Sequence, residues 1–138
     1  MTEEQMEKIN WLNRAFYADN MIKALEAIRE RNKSIAERCT ASYDSTGSSG
    51  SYANSQETII HTICDDNIRI QKQLDELIIC RAEIKEAIEG IGNAELVTIM
   101  NMRYLAYMKP YQIAEALHYD RKTIQRKHKT ALDLIRCP

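Results

Sequence analysis

The segment from Arg121 to Lys129 contains five cationic side chains and no acidic one. Lysine and arginine neutralise phosphates and release counterions from a polyanion, and arginine can also make paired contacts to guanine. The same run of charge is also typical of a solvated helix face. The chemistry that this segment favours is therefore nucleic-acid binding, provided that neighbouring elements hold it in place.

Charge is divided unevenly along the chain of 138 residues, which is nearly neutral as a whole. Residues 93 to 138 hold eight Lys and Arg against four Asp and Glu, a net charge of +4. Residues 1 to 92 hold 11 against 16, a net charge of −5. The overall pI of about 6.3 is therefore the average of an acidic N-terminal part and a basic C-terminal module.

Three short helices are predicted in the basic part. Apolar residues at near-helical spacing indicate the first one: Leu96, Ile99, Met100, Met102 and Leu105. Pro110 begins the second, because proline in a first helical turn gives up a donor that would be unpaired anyway, and this helix ends near His118 and Tyr119. Asp120 then caps a third helix. Its buried stripe comprises Ile124, Ala131, Leu132 and Ile135, which leaves the basic residues on the solvent side.

Three sequence motifs in residues 94 to 136 resemble the fourth conserved region of bacterial sigma factors. Met102-Arg103-Tyr104 is similar to the end of that region's first helix. Tyr111-Gln112-Ile113-Ala114-Glu115 resembles its second helix, and Asp120-Arg121-Lys122-Thr123-Ile124 resembles the entry to its recognition helix. The resemblance implies a helix-turn-helix that places its last helix in the major groove of double-stranded DNA.

The resemblance also implies that Arg121, Lys122, Gln125 and Arg126 face bases or nearby phosphates of a promoter element, and Lys129, Tyr111 and Arg103 are added to them as candidates. The predicted DNA-binding residues are Arg121, Lys122, Gln125, Arg126, Lys129, Tyr111 and Arg103. Two positions depart from the family's pattern. His118 stands where a glycine is usual, so it has to adopt a turn conformation that glycine adopts at lower cost, and Lys109 stands where a hydroxyl cap is usual.

A heptad pattern precedes the basic module and predicts a coiled-coil-like seam. Its positions are Ile60, Ile63, Asn67, Ile70, Leu74, Leu77, Arg81, Ile84, Ile88 and Ile91. Asn67 and Arg81 interrupt the apolar seam, and a polar residue at such a position commonly fixes the register. A second set, Ile59, Cys64, Ile68, Ile78 and Ile79, lies beside the first and indicates a further partner. Self-association, most simply as a homodimer, is therefore expected.

Residues 3 to 39 contain no glycine or proline and predict one long helix, with an irregularity near Asp19 and Asn20. Residues 40 to 56 are polar and rich in serine, which predicts a flexible connection. The two long helices are then expected to fold back antiparallel. The expected fold is all-α: a helical hairpin over residues 1 to 91, and a helix-turn-helix domain over residues 92 to 138 that follows Gly90 and Gly92.

Few other residues suggest chemistry. Four cysteines and three histidines are scattered without metal-ligand spacing, and there is no glycine-rich phosphate loop. No metal site, no cofactor and no enzymatic activity are expected. No apolar run approaches the length of a membrane span, and the N-terminus lacks the features of a signal peptide, so we expect a cytoplasmic protein associated with the nucleoid of a bacterial host.

The whole layout resembles small phage and prophage transcription regulators of the ArpU and RinA type. This resemblance implies activation of late phage genes at promoters, together with host RNA polymerase. Two other functions stay open. One is a DNA-packaging recognition subunit resembling phage small terminases, although those proteins usually carry the DNA-binding module first. The other is an adaptor that binds RNA polymerase without contacting DNA.

Overall fold

The protein is all-α in the computed structural model, which describes residues 1–46 and 50–138 and gives no side-chain environment for residues 41–54. The helices are α1 (Glu3–Leu12), α2 (Arg14–Thr46), α3 (Gly50–Glu89), α4 (Ala94–Tyr104), α5 (Pro110–Leu117) and α6 (Arg121–Leu134). No strand occurs in the described residues, as the sequence predicts. No helix within those residues is long and apolar enough to cross a membrane.

The described chain forms two compact units, and α2 and α3 contribute to both. The first unit, here called the terminal unit, combines Met1–Asp19 with Ile78–Pro138, and the second, the hairpin unit, comprises Asn20–Leu77. This division differs from the boundary that the sequence suggests between residues 91 and 92. The difference arises because both ends of the chain share one hydrophobic core.

The core of the terminal unit is built from five helices. Its largest cluster joins apolar side chains from α1, α2, α3, α4 and α6 with Ile135, which ends α6: Leu12, Ala15, Ile84, Ile88, Leu96, Met100, Tyr104, Ala131, Leu132 and Ile135. Leu12, Ile84, Ile88 and Leu132 have no exposed surface. The last two turns of the heptad stripe therefore pack against the basic module.

The N-terminal helix is well defined at its start and ends earlier than the sequence suggests. The Thr2 side chain accepts a hydrogen bond from the backbone N–H of Gln5, whose own side chain accepts one from the N–H of Thr2. Helix α1 ends at Leu12, the turn residue Asn13 separates it from α2, and α2 then runs without interruption to Thr46. The predicted irregularity near Asp19 and Asn20 is therefore wrong: the break lies about two turns earlier.

In the hairpin unit, α2 and α3 run antiparallel, as the sequence predicts. Arg29 of α2 donates to the Gln71 side chain of α3 at 2.8 Å, and Asn32 donates to Asn67 at 3.1 Å. From the first contact to the second the chain advances one turn along α2 and goes back one turn along α3. Between these helices Leu25, Ile70 and Leu74 form a small buried cluster. The heptad stripe of α3 thus finds its partner within the same chain.

Both polar residues that interrupt the heptad stripe have a specific partner on α2. In the hairpin unit, Asn67 accepts from Asn32, which also donates to Asp66 at 2.8 Å. In the terminal unit, Arg81 forms an ion pair with Asp19 at 3.5 Å. Each pair penalises a shifted register, because a slipped helix would place a polar group against apolar neighbours.

The two long helices extend into the range that the sequence assigns to a connection over residues 40 to 56. Helix α2 continues to Thr46 and α3 begins at Gly50, while residues 47–49 of the predicted connection lie outside the described residues. Serine, threonine and asparagine cost only a few tenths of a kcal/mol each in a helix once it has formed, and no proline interrupts these stretches. The helical ends therefore lie closer together in sequence than polarity alone predicts.

Candidate nucleic-acid interface

The two helices of the predicted helix-turn-helix begin and end where the sequence places them. Helix α5 starts at Pro110 and α6 at Arg121. The Asp120 carboxylate accepts from the backbone N–H of Thr123 at 2.7 Å and so caps α6. Hydrogen bonding to Thr123 lowers the pKa of Asp120, which keeps the carboxylate charged beside the positive helix end.

The turn between α5 and α6 passes through His118, which adopts the left-handed conformation at φ 60° and ψ 39°. Tyr119 follows, and its backbone N–H bonds to the carbonyl of Ala114 and closes the end of α5. At the other end of α5, the Lys109 side chain makes no cap, but the Gln112 side chain accepts from the Lys109 N–H at 2.9 Å. Both departures from the family's pattern are therefore accommodated without loss of the turn.

One side of α6 is buried and fixes the orientation of the helix. Ile124 packs with Ile99 of α4 and with Ile113 of α5 in a second small core. Farther along α6, Ala131 and Leu132 enter the main core of the terminal unit, followed by Ile135 just beyond the helix. These are the residues that the sequence predicts for the buried stripe.

The opposite side of α6 is exposed and basic. The side chains of Arg121, Lys122, Gln125, Arg126 and Lys129 are all exposed, as is that of Tyr111 on α5. Arg103, at the end of α4, is half-buried. The structure thus brings all seven predicted DNA-binding residues into the terminal unit, on three helices that pack against one another.

One of the five cations of the basic segment is used inside the protein. The Lys127 ammonium lies 3.1 Å from the Glu95 carboxylate and 5.3 Å from the centroid of the Tyr119 ring. The Tyr119 hydroxyl donates to the same carboxylate, and this hydrogen bond, followed by that of Lys127, lowers the pKa of Glu95. This arrangement ties α6 to the start of α4 and removes Lys127 from the free basic surface.

The C-terminal end of α6 is held by α1. The Lys8 ammonium donates to the Leu132 carbonyl at 2.8 Å, and the Gln5 amide donates to the Asp133 carboxylate at 2.8 Å. A cation at the end of a helix also interacts favourably with the helix dipole. Sequence reasoning missed this role of α1, because neither residue belongs to a motif and the contacts join residues more than 120 positions apart.

A second contact that sequence reasoning missed connects α4 with the middle of α6. The Tyr104 hydroxyl and Nε2 of His128 share a buried hydrogen bond of 2.6 Å. Burial, and then the positive charge of Arg103, lowers the pKa of His128 to about 4, so the ring is neutral at neutral pH. The spacing of Ile124, His128 and Ala131 on one helix face was the available signal for this burial.

The turn between α4 and α5 is anchored to α2. Tyr107 lies at a positive φ of 59°, and its hydroxyl donates to the Asp19 carboxylate and to the Ala15 carbonyl. Its ring packs edge-on against Phe16, with 5.1 Å between centroids. Burial and the interaction with Asp19 raise the pKa of Tyr107, so the hydroxyl stays a donor at neutral pH.

The described residues contain no group of three His, Cys, Asp or Glu side chains that is arranged to hold a metal ion. Cys39, Cys64, Cys80 and Cys137 are free thiols, and burial raises the pKa of Cys137. The arrangement that the structure does offer is a basic helix surface on a packed three-helix support.

No curated protein and no solved structure matches the chain significantly. A family model described as "Protein of unknown function (DUF1492)" matches residues 40–135, well over half of the chain. The chain therefore belongs to the DUF1492 family.

Proposed function

We propose that this protein is a sequence-specific DNA-binding transcription regulator rather than an enzyme. The observation that carries the proposal is the exposed basic surface of α6, formed by Arg121, Lys122, Gln125, Arg126 and Lys129. Residues four apart on a helix share a face, so Arg121, Gln125 and Lys129 point in similar directions. A helix of this width and charge suits the major groove.

The packing around α6 supports reading of base sequence rather than loose electrostatic binding. The helix is held near its start by the packing of Ile124, near its middle by the bonds of His128 and Lys127 to α4, and at its end by the bond from Lys8 of α1. A side chain discriminates between bases only when the helix that carries it holds one orientation in the groove. Contacts near the start, the middle and the end of α6 hold it in one orientation relative to its neighbouring helices.

The resemblance of residues 94 to 136 to the fourth region of sigma factors supports a site of action at promoters, with host RNA polymerase as a second partner. The resemblance to regulators of the ArpU and RinA type supports activation of late phage or prophage genes. The proposed location is the host cytoplasm, on the nucleoid. These finer assignments depend on the DNA-binding function and are tested with it.

Selection of bound sequences from a random double-stranded library, using the full-length protein, tests the proposal. We expect a defined consensus, and mapping of bound sites in a host cell should place it upstream of late genes. Sites at the start of packaging would instead favour the terminase-like function. Occupancy that follows RNA polymerase across the genome, without a consensus, would favour the adaptor.

The proposal includes self-association, which apolar side chains on the surface support. In the hairpin unit Ile68 is 70% exposed, and in the terminal unit Ile78 and Ile79 are 56% and 59% exposed. All three occupy α3 and belong to the second apolar set of the sequence. Equilibrium sedimentation should give a dimer at micromolar concentration, and Ile79→Lys should shift it towards the monomer. A wild-type monomer would contradict this part of the proposal.

A further inference from the structure

A cleft of about 220 Å³ opens beside the exposed basic surface of α6. Its walls carry Arg103 from the end of α4 and two residues of α6, Gln125 and Lys129. Pro110, at the start of α5, lines the same cleft, and His128 and Ile124 line it from the buried side of α6. Ile99 of α4, Ile9 of α1 and Met1 also line the cleft. Four helices and the start of the chain therefore surround one opening, whose walls carry the cationic side chains of Arg103 and Lys129 and the Gln125 amide.

Among the residues that the structure describes, no acidic side chain lines this cleft. Within the described part of the chain, neither Arg103 nor Lys129 takes part in an ion pair. Lys127, only two residues from Lys129, is by contrast fully engaged with Glu95. Two cations that face one opening repel each other, and a bound anion removes that repulsion while gaining charge-assisted hydrogen bonds.

We propose that this cleft binds one phosphate group of the DNA backbone, held jointly by Arg103 and Lys129, with the Gln125 amide as a further donor. The inference rests on the proposed DNA-binding function and deepens it. A phosphate held from α4 and α6 at once fixes how far α6 enters the groove, because backbone contacts set the register of a protein on the duplex. Arg103 is then a positioning residue and does not read bases.

Two features of the surroundings support an anion at this place. Helix α5 begins at Pro110, so the positive end of its dipole faces the opening. Arg103 is half-buried, which limits its contact with water and strengthens its attraction for an anion.

The test measures binding of a short random-sequence duplex to the full-length protein over a series of salt concentrations. Arg103→Met and Lys129→Met keep the apolar length of each side chain and remove its charge. Each single variant should bind more weakly, and the double variant should lose about one phosphate from the salt dependence, roughly 0.9 in the slope of log K against log salt. Lys85→Met, an exposed lysine on α3, is the matched control and should leave the slope unchanged.

A slope loss in the double variant that is twice this value would mean two separate phosphates and would overturn the shared site. An unchanged slope would overturn it as well. Arg103→Lys should restore the wild-type slope, which a purely structural role of the arginine would not predict. If the wild-type protein binds no duplex at all, the proposed function fails; if it binds and the two variants act independently, only the cleft is refuted.

A measurement on the unaltered protein covers the case in which Arg103→Met does not fold. The Nε–H resonance of Arg103 should shift when the duplex is added, together with the backbone resonances of α6. A shift in α6 without one at Arg103 would overturn the proposal. An equal shift produced by inorganic phosphate at the same phosphate concentration would assign the cleft to a free anion, and would overturn its assignment to the DNA backbone.

Discussion

Tyr104 and His128 form the one hydrogen bond between buried side chains that joins α4 to α6 in the described part of the chain, with 2.6 Å between the hydroxyl and Nε2. The two side chains are 3% and 8% exposed, and their rings are stacked at 5.7 Å. Water therefore cannot replace either partner. A neutral histidine in this position makes the stability of the DNA-binding module depend on pH.

The first prediction concerns this dependence. Because burial lowers the pKa of His128 from 6.5 to about 4, the unfolded chain binds a proton in that interval and the folded chain does not. His128 therefore contributes its full stability above about pH 6.5, and that contribution falls as the pH drops towards 4, by up to about 1.4 kcal/mol per pH unit. Urea unfolding of wild type and His128→Gln between these pH values measures the difference.

Two further variants test whether the pH dependence of stability comes from the titration of His128. Tyr104→Phe keeps His128 buried but leaves its Nε2 without a partner, so it should lower stability by about 1 to 3 kcal/mol at all pH values and retain the slope. His61→Gln, a substitution of an exposed histidine on α3, should leave the wild-type slope intact. A slope that is unchanged in His128→Gln would show that the histidine is not the group responsible.

The second prediction is that α1 is required for the basic module to fold. Leu12 has no exposed surface and packs in the same core as Leu132 of α6. Leu12→Ala should therefore destabilise the terminal unit by about 2 to 5 kcal/mol. Met6→Ala on the same helix is the control, since Met6 is 47% exposed. Equal effects of the two substitutions on the thermal midpoint would contradict this role of α1.

Much of the fold was accessible from local patterns. Pro110 and Asp120 identify the starts of α5 and α6 correctly, because each acts through neighbours within one helical turn. The heptad spacing likewise identifies the hairpin, and it identifies Asn67 and Arg81 as polar interruptions but not their partners on α2. The break at Asn13 leaves no such signal: the residue keeps helical dihedrals of −65° and −12°, so no glycine or proline is needed there.

The packing of α1 against α6 was not predictable from the same patterns. Amphipathic spacing shows that Leu12 is buried but not which distant helix covers it. The ion pair between Lys127 and Glu95 was not predictable from the sequence either. A lysine in a basic run has the same sequence signature whether its charge faces DNA or a carboxylate that the fold brings close.

The third prediction concerns Tyr107 and His118, the two non-glycine residues with positive φ in the described part of the chain. His118 is exposed, and a left-handed conformation costs an ordinary residue about 1 to 2 kcal/mol more than it costs glycine. Glycine also gives the unfolded chain more conformational entropy, which offsets part of that difference. His118→Gly should therefore raise stability by up to about 1 kcal/mol. Thermal unfolding measures it, and a destabilised variant would show that the imidazole makes a contact of its own.

Tyr107→Gly should have the opposite effect, although it relieves the same backbone strain. It removes the hydroxyl bonds to Asp19 and to the Ala15 carbonyl, and the ring contact with Phe16. A hydrogen bond to a charged partner contributes about 1.5 to 3 kcal/mol, which exceeds the conformational gain. Tyr107→Phe keeps the ring and should lose most of that hydrogen-bond contribution. Stabilisation by Tyr107→Gly would mean that this tether contributes little.

The last prediction concerns the reading of DNA by α6. Arg121 and Arg126 are exposed, and neither forms an ion pair in the described part of the chain, so each is free to make paired contacts to guanine. Arg121→Ala and Arg126→Ala should each weaken binding to the selected consensus by about 1 to 3 kcal/mol and relax preference at one position of the site. Competition between the consensus and scrambled duplexes in an anisotropy assay measures both effects. Lys85→Ala is the matched control: it removes an exposed cation of α3 that lies outside the predicted DNA-binding residues, so its effect on sequence preference should be small. A folded double variant, Arg121→Ala with Arg126→Ala, that keeps full affinity and preference would show that another surface reads the sequence. A loss with Lys85→Ala equal to that with Arg126→Ala would show that net charge alone governs binding.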